Sequence, residues 1–139
     1  MCTDACVDAY LSTKRLRFLI DTGADVTTLC LRDAYQLLGK DAFWDVQQNA
    51  ETVEAWTMGD VLDQFHPLDC VMVFTRTDGL TDKMSVRVDI PHTTEDYFQI
   101  TVSNGREVSK LGRNVLWNYK LTIDYPKNEV WLSENGYNI

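Results

Sequence analysis

This sequence predicts a mainly β protein, a small closed barrel or folded-over sheet with one or two short helices. Three observations lead there. Apolar residues alternate with a period of two at Val7-Ala9-Leu11, Leu16-Phe18-Ile20, Met84-Val86-Val88-Ile90 and Phe98-Ile100-Val102, the spacing of pleated strands with one buried face. Turn-forming clusters separate the runs: Ser12-Thr13-Lys14-Arg15, Thr77-Asp78-Gly79, Ser103-Asn104-Gly105 and Pro126-Lys127-Asn128. The 139 residues contain no Pro/Gly/Ser-rich or charge-block segment, so residues 1–139 read as one domain able to bury a core.

Taken in order, residues 1–6 are expected to be a loose terminus, followed by strands at residues 7–11 and 16–20. The second runs into Asp21-Thr22-Gly23-Ala24-Asp25 and resumes as Val26-Thr27-Thr28-Leu29. Residues 32–38 predict a short helix closed by Gly39, the residue best suited to end one. Between residues 48 and 74 the pattern predicts a long hairpin turning near Trp56-Thr57-Met58-Gly59-Asp60-Val61. Strands follow at residues 84–90 and 98–102. Gly112 then opens a second helix over residues 113–119, and residues 128–132 supply a C-terminal strand.

A net charge of −8 and a pI near 4.6 argue against a nucleic-acid partner, because phosphate contacts need clustered Lys and Arg. No apolar run reaches the roughly 18 residues that span a bilayer, and the start lacks the layout of a signal peptide; the expectation is a cytoplasmic protein with no membrane association. Cys2, Cys6, Cys30 and Cys70 are scattered without paired C-x-x-C knuckles, and His66 and His92 lie far apart with no H-E-x-x-H framing. These spacings give no support to a metal site or a cofactor. Cys30 and Cys70 sit in apolar strands, where a reduced thiol acts as a small hydrophobe. Asp45, Asp63, Asp69, Asp78, Asp82, Asp89, Asp96 and Asp124 read as solvated loop or sheet-face residues.

Asp21 stands apart. It directly follows the apolar strand Phe18-Leu19-Ile20, where a carboxylate carries a desolvation penalty that function would explain. Thr22 offers a hydroxyl, and Gly23 lets the backbone turn beneath the carboxylate. Asp21-Thr22-Gly23-Ala24 resembles the active-site turn of aspartic proteases, and its alanine resembles the retropepsin (retroviral-type) branch. Downstream, Leu111-Gly112-Arg113-Asn114-Val115-Leu116 resembles the hydrophobic-Gly-Arg-Asn/Asp segment that opens the single late helix of that family, and Leu121-Thr122-Ile123-Asp124-Tyr125 its following strand. The matches bracket about a hundred residues, and their order makes them more specific than a lone tripeptide.

The resemblance implies an aspartic endopeptidase acting on peptide or protein substrates without a cofactor. Amide hydrolysis by water requires one carboxylate to accept a proton and a neighbouring carboxylic acid to donate one, and this chain has a single Asp-Thr-Gly. The expectation is therefore an obligate homodimer pairing Asp21 with its copy across a two-fold axis. By resemblance, Thr22 would bond across that axis, Gly23 would offer backbone to substrate, and Ala24 would complete the turn. Asp25 would pair with Arg113 beside Gly112, in a partly buried contact whose loss would cost about 3–5 kcal/mol; the plainer reading of Arg113 is solvation at a helix start. Trp56, Thr57, Met58, Gly59 and Asp60 would form a flap over the peptide, while Trp56 or Met58 read equally well as core or dimer contacts. A catalytically silent binding or dimerisation module of the same fold is the alternative. A thiol-based enzyme uniting Cys70 with His66, or a metal-dependent one, is a third.

Overall fold

The computed structural model describes residues 6–57, 60–127 and 129–134. Its first elements are β1 (Cys6–Leu11) and β2 (Lys14–Ile20), antiparallel and paired from Cys6↔Leu19 to Leu11↔Lys14 across the turn at Ser12. The alternation noted in sequence is the reason they pair this way: Ala9, Leu11, Leu16, Phe18 and Ile20 all turn to the buried face. Cys6 opens β1 and is disulfide-bonded, so it does not belong to a loose terminus as expected; residues 1–5 lie outside the described residues.

After a two-residue strand β3 (Thr27–Thr28) come α1 (Leu31–Leu38) and α2 (Lys40–Asn49). Gly39 does close α1, at φ +82°, yet the chain re-enters a helix at once. β4 (Val53–Thr57) then pairs with the first part of β5 (Val61–Thr75), making the expected hairpin, which starts later than residue 48 because Gln48 belongs to α2. The rest of β5 pairs with β6 (Thr81–Pro91) from Phe65↔Pro91 to Thr75↔Thr81.

The segment read as a strand at residues 98–102 is helical, part of α3 (Glu95–Asn104). Thr94 caps it by accepting the Tyr97 N–H, Glu95 and Asp96 sit in its first turn, and Gly105 ends it in the left-handed conformation. Phe98 is buried and Val102 packs against the core, four residues apart as a helix requires, whereas Ile100 between them is 63% exposed. Its apolar alternation therefore does not mark a strand face. The turn cluster at residues 103–105 is this helix's end. Four helices are thus present among the described residues where one or two were expected.

β7 (Ser109–Leu111), α4 (Arg113–Leu116), β8 (Tyr119–Asp124) and β9 (Glu129–Glu134) complete the chain. α4 is shorter than predicted, since Tyr119 already belongs to β8. The large sheet runs β1-β2-β7-β3-β6-β5-β4, and β1 also pairs with β5 at Tyr10↔Val73 and Leu11↔Met72. That extra ladder closes six strands into a barrel, with β4 left outside as the hairpin arm. Leu11, Phe18, Leu29, Met72, Val88, Ile90, Leu111 and Val115 fill it and have no appreciable exposure. Tyr35, Phe43, Trp44 and Phe98 stack their rings at 5.0–5.4 Å between α1, α2 and α3. β8 and β9 form a separate two-stranded sheet. Among the described residues no helix is long and apolar enough to cross a membrane.

Candidate active site

β2 and β7 run parallel in register Phe18↔Ser109 to Ile20↔Leu111, and the ladder continues one step further as the Asp21 N–H donates to the Leu111 carbonyl at 3.0 Å. This bond fixes Asp21 where the sheet ends. The chain then folds under its own carboxylate: Gly23 N–H donates to Asp21 Oδ1 at 3.0 Å, and Ala24 N–H to the Asp21 carbonyl at 3.2 Å. A Cβ on Gly23 would stand 3.3 Å from Asp21 Oδ1, so glycine leaves the carboxylate unobstructed. Asp21 is half-buried, while Thr22 and Gly23 are exposed. The Thr22 hydroxyl has no hydrogen-bond partner among the described residues.

The downstream segment braces the turn from behind. Arg113 N–H donates to the Ala24 carbonyl at 2.8 Å and Asn114 N–H to the Asp25 carbonyl at 3.1 Å. The Asn114 side-chain oxygen accepts from both Thr27 N–H and Thr27 Oγ1, each at 2.9 Å; Thr27 Oγ1 in turn accepts the Gly112 N–H at 3.0 Å. The Asn114 amide nitrogen donates to the Arg87 carbonyl at 2.8 Å, tying the cluster to β6. Thr27, fully buried, thereby has its N–H and its hydroxyl both satisfied at a point where an unpaired group would be expensive. Gly112 packs directly on the Val26–Thr27 peptide, with no room for a Cβ.

Asp21, Thr22, Gly23, Ala24, Asp25, Gly112 and Arg113 are therefore one spatial cluster. Arg113 and Asp25 form an ion pair, but the Asp25 side chain is 80% exposed and that of Arg113 44%. The partly buried pairing expected from sequence is not what the chain shows, and the 3–5 kcal/mol attached to it shrinks to the value of a surface pair. Thr27 and Asn114 are the braces that the sequence reading passed over. Asn114 lies inside the Leu111–Leu116 segment, and a threonine amid strand apolars is the only other sign.

No hydrogen bond or ion pair among the described residues links Trp56, Thr57 or Asp60 to the Asp21 turn; Met58 and Gly59 lie outside the described residues. Trp56 is 71% exposed, which excludes the core reading for it. Thr57 Oγ1 donates to the Val61 carbonyl at 3.0 Å and lies 3.3 Å from an Asp63 oxygen, pinning the hairpin neck. Asp60 takes a positive φ of 57° at the tip.

Two other expectations change. Asp89 is buried, not solvated, and is gripped by Arg87 at 3.0 and 3.3 Å. His66 and His92, distant in sequence, are hydrogen-bonded to each other at 2.9 Å. His66 is fully committed to His92 and to the Glu51 carbonyl, and burial pushes the Cys70 thiol up from its ordinary value, assisted by Asp69. Neither is what an activated thiolate pair requires. Among the described residues no group of three or more His, Cys, Asp or Glu side chains is placed to hold a metal ion.

No family model and no curated protein matches this chain. A solved structure does: a retropepsin-like aspartic protease from Rickettsia conorii, similar over 91% of this chain and 80% of that one, with a TM-score of 0.60 and 19% sequence identity. At that identity the likeness is one of architecture, and it agrees with the closed six-stranded barrel and its few helices. The chain has the retropepsin-like fold.

Proposed function

We propose that this protein is an aspartic endopeptidase that acts as a homodimer. The observation that carries the reading is the Asp21 turn, a lone carboxylate held at the end of a parallel strand pair by its own Gly23 amide and by the Gly112-Arg113-Asn114 brace. A single carboxylate cannot both take a proton from water and give one to the substrate carbonyl. Two copies related by a two-fold axis would supply the pair. Carboxyls about 3 Å apart share one proton, and the dyad titrates as a unit. The ionised member would remove a proton from water as it attacks the peptide carbonyl, while the protonated member donates to the carbonyl oxygen.

The exposed, unpartnered Thr22 hydroxyl supports a bond across that axis. The β8–β9 hairpin supports the dimer as well, since it follows α4 directly and presents Trp131 to solvent on the face opposite Leu121 and Leu132, with Tyr125 in its turn and Trp117 just before it, both 75% exposed. Burying these would give a self-complementary contact rigidly linked to the catalytic turn. The β4–β5 hairpin, with Trp56 at its end, is the segment suited to cover an extended peptide.

Asp21→Asn is the decisive variant, because it keeps the side chain's size and its acceptor for Gly23. Wild-type protein should cleave an unstructured polypeptide in the acidic to neutral range and Asp21→Asn should not, with both sedimenting as dimers. Undiminished cleavage by Asp21→Asn would refute the assignment, and stable peptide binding without cleavage by the wild type would favour the silent binding module.

A further inference from the structure

His66 lies in β5 where the hairpin leaves the barrel, and it is 1% exposed; His92 follows β6 and is exposed. The antiparallel register that sets Phe65 opposite Pro91 and His66 opposite Ile90 brings the two rings together, His66 Nε2 standing 2.9 Å from His92 Nδ1. His66 Nδ1 is 3.2 Å from the Glu51 carbonyl, just before β4. A carbonyl only accepts, so Nδ1 of His66 carries its proton, Nε2 is its acceptor, and the His92 Nδ1–H donates to it. The backbone repeats the link: His92 N–H donates to the Gln64 carbonyl at 2.9 Å. Gln47 of α2 fastens the same corner through the Pro91 carbonyl and the Thr93 N–H, each at 2.9 Å. One imidazole pair thus joins the start of β4, the hinge of β5 and the end of β6.

The proton count of this pair decides its geometry. With no added proton, His92 donates and His66 accepts. With one, the link survives in either arrangement, because whichever ring is cationic donates to the other, and a charge-assisted bond is stronger. With two, both facing nitrogens carry hydrogens and both rings are positive, and the contact turns repulsive. Around the buried His66, His92 is the charged group acting through space, and the Ala50 and Glu51 backbone are the other polar groups that act on it. From α2 the polar group at the corner is the neutral Gln47 amide. Asp63 of β5 and Asp89 of β6 are engaged with Thr57 and Arg87.

We infer that the His66–His92 pair is a proton-operated clasp on the β4–β5 hairpin, closed with none or one added proton and opened by the second. Burial, backed by the neighbouring imidazole, holds His66 below the ordinary histidine range, so opening belongs to acidic pH and not to neutrality. The inference rests on the fold and its hydrogen bonds and is independent of whether Asp21 is catalytic. In the peptidase reading, it frees the lid under the acidic conditions that suit a carboxyl dyad.

Amide hydrogen exchange on the full chain, corrected for intrinsic rates, tests the clasp from about pH 7.5 to about pH 4.5, a range spanning the ordinary histidine value. The β4 amides of residues 53–57 should exchange roughly three- to tenfold faster relative to those of β1 and β2 at the acid end, the equivalent of one lost hydrogen bond. In His92→Gln the amide oxygen can accept from a protonated His66, and the acid response should vanish. His92 is exposed, so this variant is expected to fold normally; His66→Gln should behave alike. A β4 response that is flat in the wild type, that is shared equally by β1 and β2, or that persists in His92→Gln overturns the proposal.

Discussion

Replacing Gly112 by alanine probes the contact on which the candidate site rests. Gly112 has φ −94° and ψ 179°, a conformation open to any residue, so the effect of a side chain there is purely steric. A Cβ would stand 2.6 Å from the Val26 carbonyl carbon, 2.7 Å from its oxygen and 2.8 Å from the Thr27 nitrogen. All three are backbone atoms, and no rotamer change clears them. The Val26–Thr27 peptide would have to retreat by roughly 1 Å to reach ordinary contact. That movement stretches the bonds from Gly112 N–H to Thr27 Oγ1 and from Arg113 N–H to the Ala24 carbonyl, now 3.0 and 2.8 Å. Overpacking costs about 1–3 kcal/mol and each weakened hydrogen bond about 1 kcal/mol, giving about 3–5 kcal/mol in all. For a chain of this size the melting midpoint falls by about 10–20 °C. Urea denaturation in an Asp21→Asn background, where self-cleavage is absent, provides the measurement. Gly39→Ala is the internal control, since nothing lies within 4 Å of its Cβ and its φ of +82° adds only strain, of about 1 kcal/mol. A Gly112→Ala loss no larger than that control would show that the turn is not seated on Gly112.

Asn114→Ala removes the acceptor of both Thr27 donors and leaves the buried Thr27 N–H unpaired; a loss of about 2–4 kcal/mol in urea unfolding is expected, with Asn114→Asp recovering part of it. Asp25→Asn, by contrast, breaks a solvent-exposed ion pair and should cost no more than about 1 kcal/mol; a several-fold larger loss, growing with protein concentration, would mean that a second copy buries the pair. Burial pushes the Glu107 carboxyl up, against the opposing pull of Arg32 and the Leu31 backbone, and the buried Glu107 Oε2 has no hydrogen-bond partner among the described residues. A folded-state value above the unfolded one means that the folded chain binds more protons between the two, so stability falls as pH rises out of the ordinary glutamate range. Glu107→Gln should therefore be more stable than wild type at pH 7, and the advantage should fade below about pH 4, where both are neutral; a constant difference across pH would refute this.

The barrel strands were legible because their alternation coincides with burial on one face, as Leu16, Phe18 and Ile20 show. α3 was not, because Phe98, Ile100 and Val102 alternate as a strand would, and only the Thr94 cap and the packing of Phe98 against Tyr35 and Phe43 reveal the helix. α2 was missed for a related reason: its buried residues are Phe43 and the polar Gln47, and an amide does not register as half of a hydrophobic stripe. The Asp21 turn and the Gly112-Arg113 segment announced themselves through glycine and carboxylate placement, which local sequence displays. Asn114, Thr27, Asp89 and the histidine pair did not, since each owes its meaning to a partner that only strand register supplies.

That division has a consequence for the site. Everything that shapes the Asp21 turn is internal to one chain: the Leu111 carbonyl that anchors it, the Gly112 surface it rests on, and the Asn114–Thr27 bonds that lock it to β3. To this turn a second copy would add the other carboxyl and a partner for the Thr22 hydroxyl. A turn already shaped in the separate chain needs no ordering on association, so dimerisation in the proposed enzyme would complete the chemistry without rebuilding the scaffold. Chemistry and scaffold should then fail separately. Asp21→Asn should abolish cleavage at full stability, whereas Asn114→Ala should lower stability first and lose cleavage only as the turn loosens, a separation that a dimer-built turn would not show.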